Sequence, residues 1–154
     1  MTIDPGDKAP DFDLPTDGGG RLKLSDLAGK KVVLYFYPKD STPGCTVEAR
    51  AFSNRTIDFQ KAGAVIVGAS KDSVKRHDKF KAKKLLTFAL VSDTGGTLCD
   101  AYGVWVEKKL FGRKYMGIER ATYLIDEKGT VRKVWRPVKI KGHADAVLAA
   151  VQAL

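Results

Sequence analysis

The run Val32-Val33-Leu34-Tyr35-Phe36 is continuously apolar and rich in β-branched and aromatic residues, which predicts a strand buried on both faces. Ala64-Val65-Ile66-Val67-Gly68-Ala69 predicts a second buried strand, and Phe88-Ala89-Leu90-Val91 a third, closed by Ser92-Asp93-Thr94-Gly95-Gly96. Between the first two, Val47, Ala51, Phe52, Ile57 and Phe59 form a ragged apolar face for one helix that begins at Pro43 and ends near Gly63. Asp72-Ser73 opens a polar helix through Lys84. A short helical piece follows around Leu98 to Tyr102. Arg120 to Ile125 and Thr130 to Val134 read as paired strands around Asp126-Glu127-Lys128-Gly129. Val147, Leu148, Val151 and Leu154 recur at helical spacing, so the last segment is an amphipathic helix covering the sheet.

At the other end, Asp17-Gly18-Gly19-Gly20 is a turn signal between Phe12-Asp13-Leu14 and Arg21-Leu22-Lys23-Leu24, predicting a hairpin. Ser25 to Gly29 reads as one turn with Ser25 as N-cap and Gly29 as the stop. Strands alternating with helices, then an antiparallel pair and a final helix, indicate an α/β fold: a mixed central sheet flanked by helices, with residues 1–154 forming one domain. Ligands in such folds collect at the carboxyl ends of strands.

Cys45 lies just past such an end. Pro38 stops the first strand, Thr42 reads as N-cap and Pro43 as the first helical residue, where its missing N–H costs nothing. Cys45 is then the third helical residue, facing unpaired backbone N–H groups and the positive end of the helix dipole, which favours thiolate. Gly44 adds no side chain, so a small substrate can approach the backbone closely. A free cysteine packed as a small hydrophobe is the bland alternative; the Thr-Pro-Gly context favours the reactive one.

Hydrophobic residues make up 44% of the 154-residue chain and charged residues 29%, a globular composition. No apolar run approaches the roughly 20 residues that cross a bilayer. The opening Met1 to Asp7 has no signal-peptide pattern, and two cysteines make no disulfide framework, so cytoplasmic residence is expected. The net charge is +9, but the basic residues are dispersed, with no zinc-finger spacing, basic zipper or aromatic RNA-binding pattern. A solvated basic surface is expected, with no specific nucleic-acid or membrane partner. His77 and His143 stand far apart with no Cys or His at ligand spacing, so neither a metal nor a cofactor is expected. Trp105 and Trp135 read as packing residues.

The segment Phe36-Tyr37-Pro38-Lys39-Asp40-Ser41-Thr42-Pro43-Gly44-Cys45-Thr46 resembles the signature of the peroxiredoxin family, in its bacterioferritin comigratory protein or PrxQ branch. Pro38, Thr42 and Cys45 fall on its P-x-x-x-T-x-x-C core. The likeness extends through Gly103-Val104-Trp105 with Glu107-Lys108, Gly117-Ile118-Glu119-Arg120 with Leu124-Ile125-Asp126, and the opening Gly6 to Phe12. It implies a thioredoxin-like fold and a thiol peroxidase acting on hydrogen peroxide and organic hydroperoxides. By that resemblance Cys45 is the nucleophile, Thr42 orients the peroxide, Arg120 holds the thiolate and polarises the peroxide, and Pro38 shields the sulfur from water. Taken singly, Thr42 is also a plain helix cap, Pro38 a strand terminator and Arg120 a surface ion-pair residue. Glu48 could contact Arg120 or simply suit the start of a helix.

The chain departs from the branch in its second cysteine. Many members carry a resolving cysteine five residues on, here Arg50; others carry it on the following helix, here Phe80-Lys81-Ala82. Only Cys99 remains. A one-cysteine cycle is therefore expected, with the Cys45 sulfenic acid captured by thioredoxin, glutaredoxin or a small thiol, and the chain acting as a monomer. Cys99 resolving Cys45 after local opening is the alternative, and a non-enzymatic basic binding protein or holdase is a second. A thioredoxin-type disulfide exchanger fails because Glu48 stands where its second cysteine belongs.

Overall fold

The computed structural model describes residues 2–154. A five-stranded sheet holds the chain together. It comprises β3 (Lys31–Phe36), β4 (Ala64–Ser70), β5 (Ala89–Ser92), β8 (Ala121–Ile125) and β9 (Val131–Trp135), in the order β5-β4-β3-β8-β9. β3, β4 and β5 run parallel, while β8 and β9 are antiparallel additions. An N-terminal hairpin of β1 (Asp13–Pro15) and β2 (Arg21–Lys23) stands apart from this sheet, as does a second hairpin of β6 (Trp105–Leu110) and β7 (Arg113–Ile118). The helices are α1 (Pro43–Ser53), α2 (Thr56–Lys61), α3 (Val74–Lys84), α4 (Thr97–Tyr102) and α5 (His143–Gln152). Among the described residues, no helix is long and apolar enough to cross a membrane.

The apolar run of β3 sits at the middle of the sheet, and its alternation divides the interior in two. Val32, Leu34 and Phe36 point into one core with Leu98, Cys99, Tyr102, Val104 and Tyr123. Val33, Tyr35 and Tyr37 point into the other with Cys45, Phe52, Phe59, Phe80, Val147 and Val151. Successive strand side chains face opposite ways, so a central strand must be apolar throughout. Each fully buried Leu or Phe contributes about 1.5–3 kcal/mol. Gly68 of β4 makes room in the second core. A Cβ there would come within 2.9 Å of Leu90 and 3.1 Å of the Tyr35 ring.

Several local expectations need correction. The single helix expected from Pro43 to Gly63 is two, broken at Asn54 and Arg55. The Ser53 hydroxyl accepts from the Thr87 N–H, and the Asn54 carbonyl oxygen accepts from Arg50, so side chains that could have faced solvent along a helix bond elsewhere. Arg55 pairs with Asp145 on α5. Val47 and Ile57, expected on the apolar face, are exposed, and the buried face of α1 is Cys45, Glu48, Ala49 and Phe52. Ser25 is not an N-cap. The cap position falls two residues earlier, at Lys23, so the turn runs from Leu24, and the Lys23 N–H donates to the Asp26 carboxylate at 3.3 Å. The β6–β7 hairpin has no counterpart among the elements the sequence pattern predicts. Most of its residues are exposed or half-buried on both faces, so it carries no clear hydrophobic alternation.

Candidate active site

The turn between β3 and α1 presents the cysteine. Thr42 occupies the N-cap position of α1 with Pro43 first in the helix, as the sequence predicts. Its hydroxyl does not cap the helix. It donates instead to the Lys39 carbonyl at 2.7 Å, closing the turn on itself. Ser41 adopts φ +65°, the left-handed conformation that non-glycine residues rarely take. Gly44 and Cys45 then fall in the first turn of α1, where helical N–H groups have no intrahelical acceptor. A Cβ on Gly44 would meet Arg120 Nη2 and Ile140 Cδ1, each at 3.3 Å, so the glycine lets the guanidinium lie against the helix start.

Arg120 arrives from the far end of the chain, in the link between β7 and β8. Its Nη2 donates to Cys45 Sγ at 3.4 Å and its Nη1 to Glu48 Oε1 at 2.7 Å. Cys45 is 1% exposed, Glu48 2%, and the Arg120 side chain 17%. Cys45 and Glu48 lie three residues apart on one helix face, so a single planar fork spans both. The geometry resolves the open reading of Glu48: it holds Arg120.

Burial pushes the Glu48 carboxyl up to about 7, with the Arg120 charge and hydrogen bond pulling the other way. Its second oxygen has no hydrogen-bond partner among the described residues, nor does the Tyr35 hydroxyl. Tyr35 lies in the same core as Cys45, and burial, then the nearby Glu48 and Cys45, raise its phenol well above the ordinary value.

Two residues join the site that sequence reasoning had not placed there. The Lys108 stem lies across Gly117, where a Cβ would sit 3.2 Å from Cδ. Burial and the Arg120 charge lower its ammonium pKa, and Cys45 opposes that shift. His143 starts α5 and meets the Thr122 hydroxyl at 2.8 Å through Nε2. Burial and the Arg120 charge push it down to about 4, so it is neutral at pH 7. Neither had a local sequence signal: Lys108 is brought in by the β6–β7 pairing and His143 by the packing of the start of α5 against Thr122 of β8. Pro38 stands half-buried where β3 gives way to the turn.

Cys99 lies elsewhere. It is fully buried in α4, in the core on the opposite face of the sheet from Cys45. Burial, then Asp93, raise its thiol well above the ordinary range. Arg50, at the first expected resolving position, donates to the Lys84 carbonyl at 3.0 Å and so ties α1 to the end of α3. Lys81, at the second, pairs with Asp17.

Comparison with known proteins gives the family and the fold. The model of the AhpC/TSA family matches residues 5–134. A peroxiredoxin Bcp of Bacillus subtilis is 52% identical over 152 residues, covering 99% of this chain and 97% of that one. The solved bacterioferritin comigratory protein of Xanthomonas campestris, described for alkyl peroxide reduction, is 50% identical with a TM-score of 0.88, over 92% of this chain and 90% of its own. A PrxQ mutant of Xylella fastidiosa superposes with a TM-score of 0.95 at 39% identity, over 99% and 98%. The chain therefore belongs to the AhpC/TSA family, with the thioredoxin-like fold of a peroxiredoxin of the bacterioferritin comigratory protein branch, a thiol peroxidase.

Proposed function

We propose that the chain reduces hydrogen peroxide and organic hydroperoxides by a one-cysteine cycle centred on Cys45, as a monomer in the cytoplasm. The observation that carries the reading is the Arg120 fork, which reaches Cys45 Sγ and Glu48 together. The Cys45 thiolate attacks the terminal oxygen of the hydroperoxide. The S–O bond forms as the O–O bond breaks, giving a sulfenic acid and an alkoxide or hydroxide that takes up a proton. Arg120 and the free first-turn N–H groups supply fixed donors to the charge that grows on the leaving oxygen. The Thr42 hydroxyl already donates to Lys39, so toward a hydroperoxide O–H it acts as an acceptor. Pro38 closes the side of the turn toward solvent.

The sulfenic acid is then captured by an external thiol, from thioredoxin, glutaredoxin or a small molecule. A thiolate attacks the oxidised sulfur, the S–O bond breaks, hydroxide takes up a proton to leave as water, and a mixed disulfide forms; a second thiolate attacks the donor's sulfur and releases Cys45 reduced. The position of Cys99 supports external capture, since it is buried on the other face of the sheet with its thiol held protonated. Two free thiols also suit a reducing compartment.

Stoichiometric peroxide, a dimedone-type sulfenate trap and intact mass test the cycle on the unaltered protein and on Cys99→Ser. One trapped sulfenate in both forms is expected. A fast internal disulfide that vanishes in Cys99→Ser would establish the two-cysteine alternative instead. Peroxide left unconsumed by reduced protein with ample donor would favour a non-enzymatic binding role.

A further inference from the structure

Beneath the turn that carries Thr42, two ionisable side chains are sealed from solvent. The His77 and Asp40 side chains are 0% and 1% exposed, with Nδ1 2.6 Å from Oδ2. The other Asp40 oxygen accepts from the Tyr37 hydroxyl at 2.6 Å. The Asp40 backbone N–H donates to Asp72 Oδ2 at 2.8 Å. Asp72 is held in turn by the Ser70 hydroxyl at 2.6 Å and by Arg76 Nε at 2.9 Å.

The proton count follows from the acceptors. His77 Nε2 lies 2.9 Å from the Val91 carbonyl, which can only accept, so Nε2 carries hydrogen. Nδ1 and the Asp40 oxygen 2.6 Å away hold one further proton between them, and burial is outweighed by the Asp40 contact, which raises the His77 pKa and favours the imidazolium–carboxylate form. Asp40, Asp72 and His77 could together offer three ligand atoms within 4.8 Å of one another. Those atoms are held by one another and by protein donors, so the cluster serves as an anchor.

What it anchors is the approach to Cys45. Asp40 precedes Ser41, whose left-handed backbone is held only if the turn is over-determined by its surroundings. Thr42 and the first turn of α1 follow directly. Cys45 itself is 1% exposed, so no external thiol reaches its sulfur until this first turn opens. The closed turn serves peroxide attack, and the open one serves reduction.

We propose that Asp40 and His77 are positioning residues of the peroxidase centre. Their buried pair clamps the turn of residues 38–42 onto α3 and thereby sets how often the Cys45 sulfur becomes accessible to a reducing thiol. This rests on the external-thiol reading above.

The pair's loss has opposite effects on the two halves of the cycle. In Asp40→Asn and in His77→Gln, peroxide-driven sulfenate formation, read by rapid quench and mass, falls roughly tenfold to a hundredfold as Thr42 and Cys45 lose alignment. Capture of the preformed sulfenate by 2-nitro-5-thiobenzoate rises roughly tenfold, the effect of losing one charge-assisted hydrogen bond. The double variant matches either single one, because both remove the same contact. Tyr37→Phe, which deletes one hydrogen bond and keeps the ring, shifts both rates in the same directions by less and serves if the Asp40 and His77 variants do not fold. If the unaltered chain instead forms an internal disulfide, the external-thiol reading fails on that protein alone. The clamp is then read from the disulfide rate, which rises in the same variants. Parallel loss of both steps, or no change in either, overturns the proposal.

Discussion

Glu48 offers the sharpest quantitative test. Its carboxyl moves from 4.5 to about 7 on folding, because burial outweighs the Arg120 contact. At about 1.4 kcal/mol per pH unit, that corresponds to about 3 kcal/mol. The sign is set by linkage: the folded state binds this proton more tightly than the unfolded chain. The associated stability is present in full below pH 4.5 and is lost as pH rises through 7. Glu48→Gln keeps the shape and an acceptor for Arg120 Nη1 but has no proton to lose. Urea unfolding of both proteins under reducing conditions, at pH 4.5, 6 and 8, isolates the effect because all other titrations cancel in the difference. The unaltered chain should lose about 3 kcal/mol relative to the variant between pH 4.5 and 8. A difference that stays flat, or moves the other way, would refute the claim that burial dominates at this carboxylate.

Three further outcomes follow from the same geometry. Arg120→Lys leaves one point charge for two acceptors, so peroxide kcat/KM should fall about a hundredfold or more, measured by peroxide consumption with excess dithiol. Gly68→Ala drives a methyl against Leu90 and the Tyr35 ring and should cost about 1–3 kcal/mol in chemical unfolding; an unchanged midpoint would show that the second core yields freely. His143, held down to about 4 from 6.5, binds its proton more tightly when unfolded, so its contribution is complete above pH 6.5 and is lost as pH falls through 4. The unaltered chain should therefore lose about 3 kcal/mol relative to His143→Gln across that window, read from paired unfolding curves.

The parts of the molecule that could be read in advance are those governed by neighbours in sequence. The apolar run of β3, the Thr42-Pro43 helix start and the Ser73 cap of α3 are local devices, and each stands where the pattern put it. The placement of Cys45 in the first turn of a helix follows from them. The Arg120 contacts with Cys45 and Glu48 span 75 and 72 residues, and the residue types alone left Glu48 open between two roles. Only the motif resemblance pointed to Arg120. His77 looked like an isolated histidine on a polar helix because its partner lies 37 residues earlier, across a strand crossing. The β6–β7 hairpin escaped notice for another reason. A ribbon wetted on both faces has no alternation to detect, and its lysines suggested only a charged surface.

The two-sided character of β3 has a chemical corollary. With one thiol on each flank of a hydrogen-bonded sheet, the sheet acts as a partition between them. In the one-cysteine cycle proposed above, oxidising equivalents that land on Cys45 remain in its compartment until a donor thiol arrives from solution. The supply of donor thiols, together with how readily the sulfur is uncovered, would then throttle each turnover.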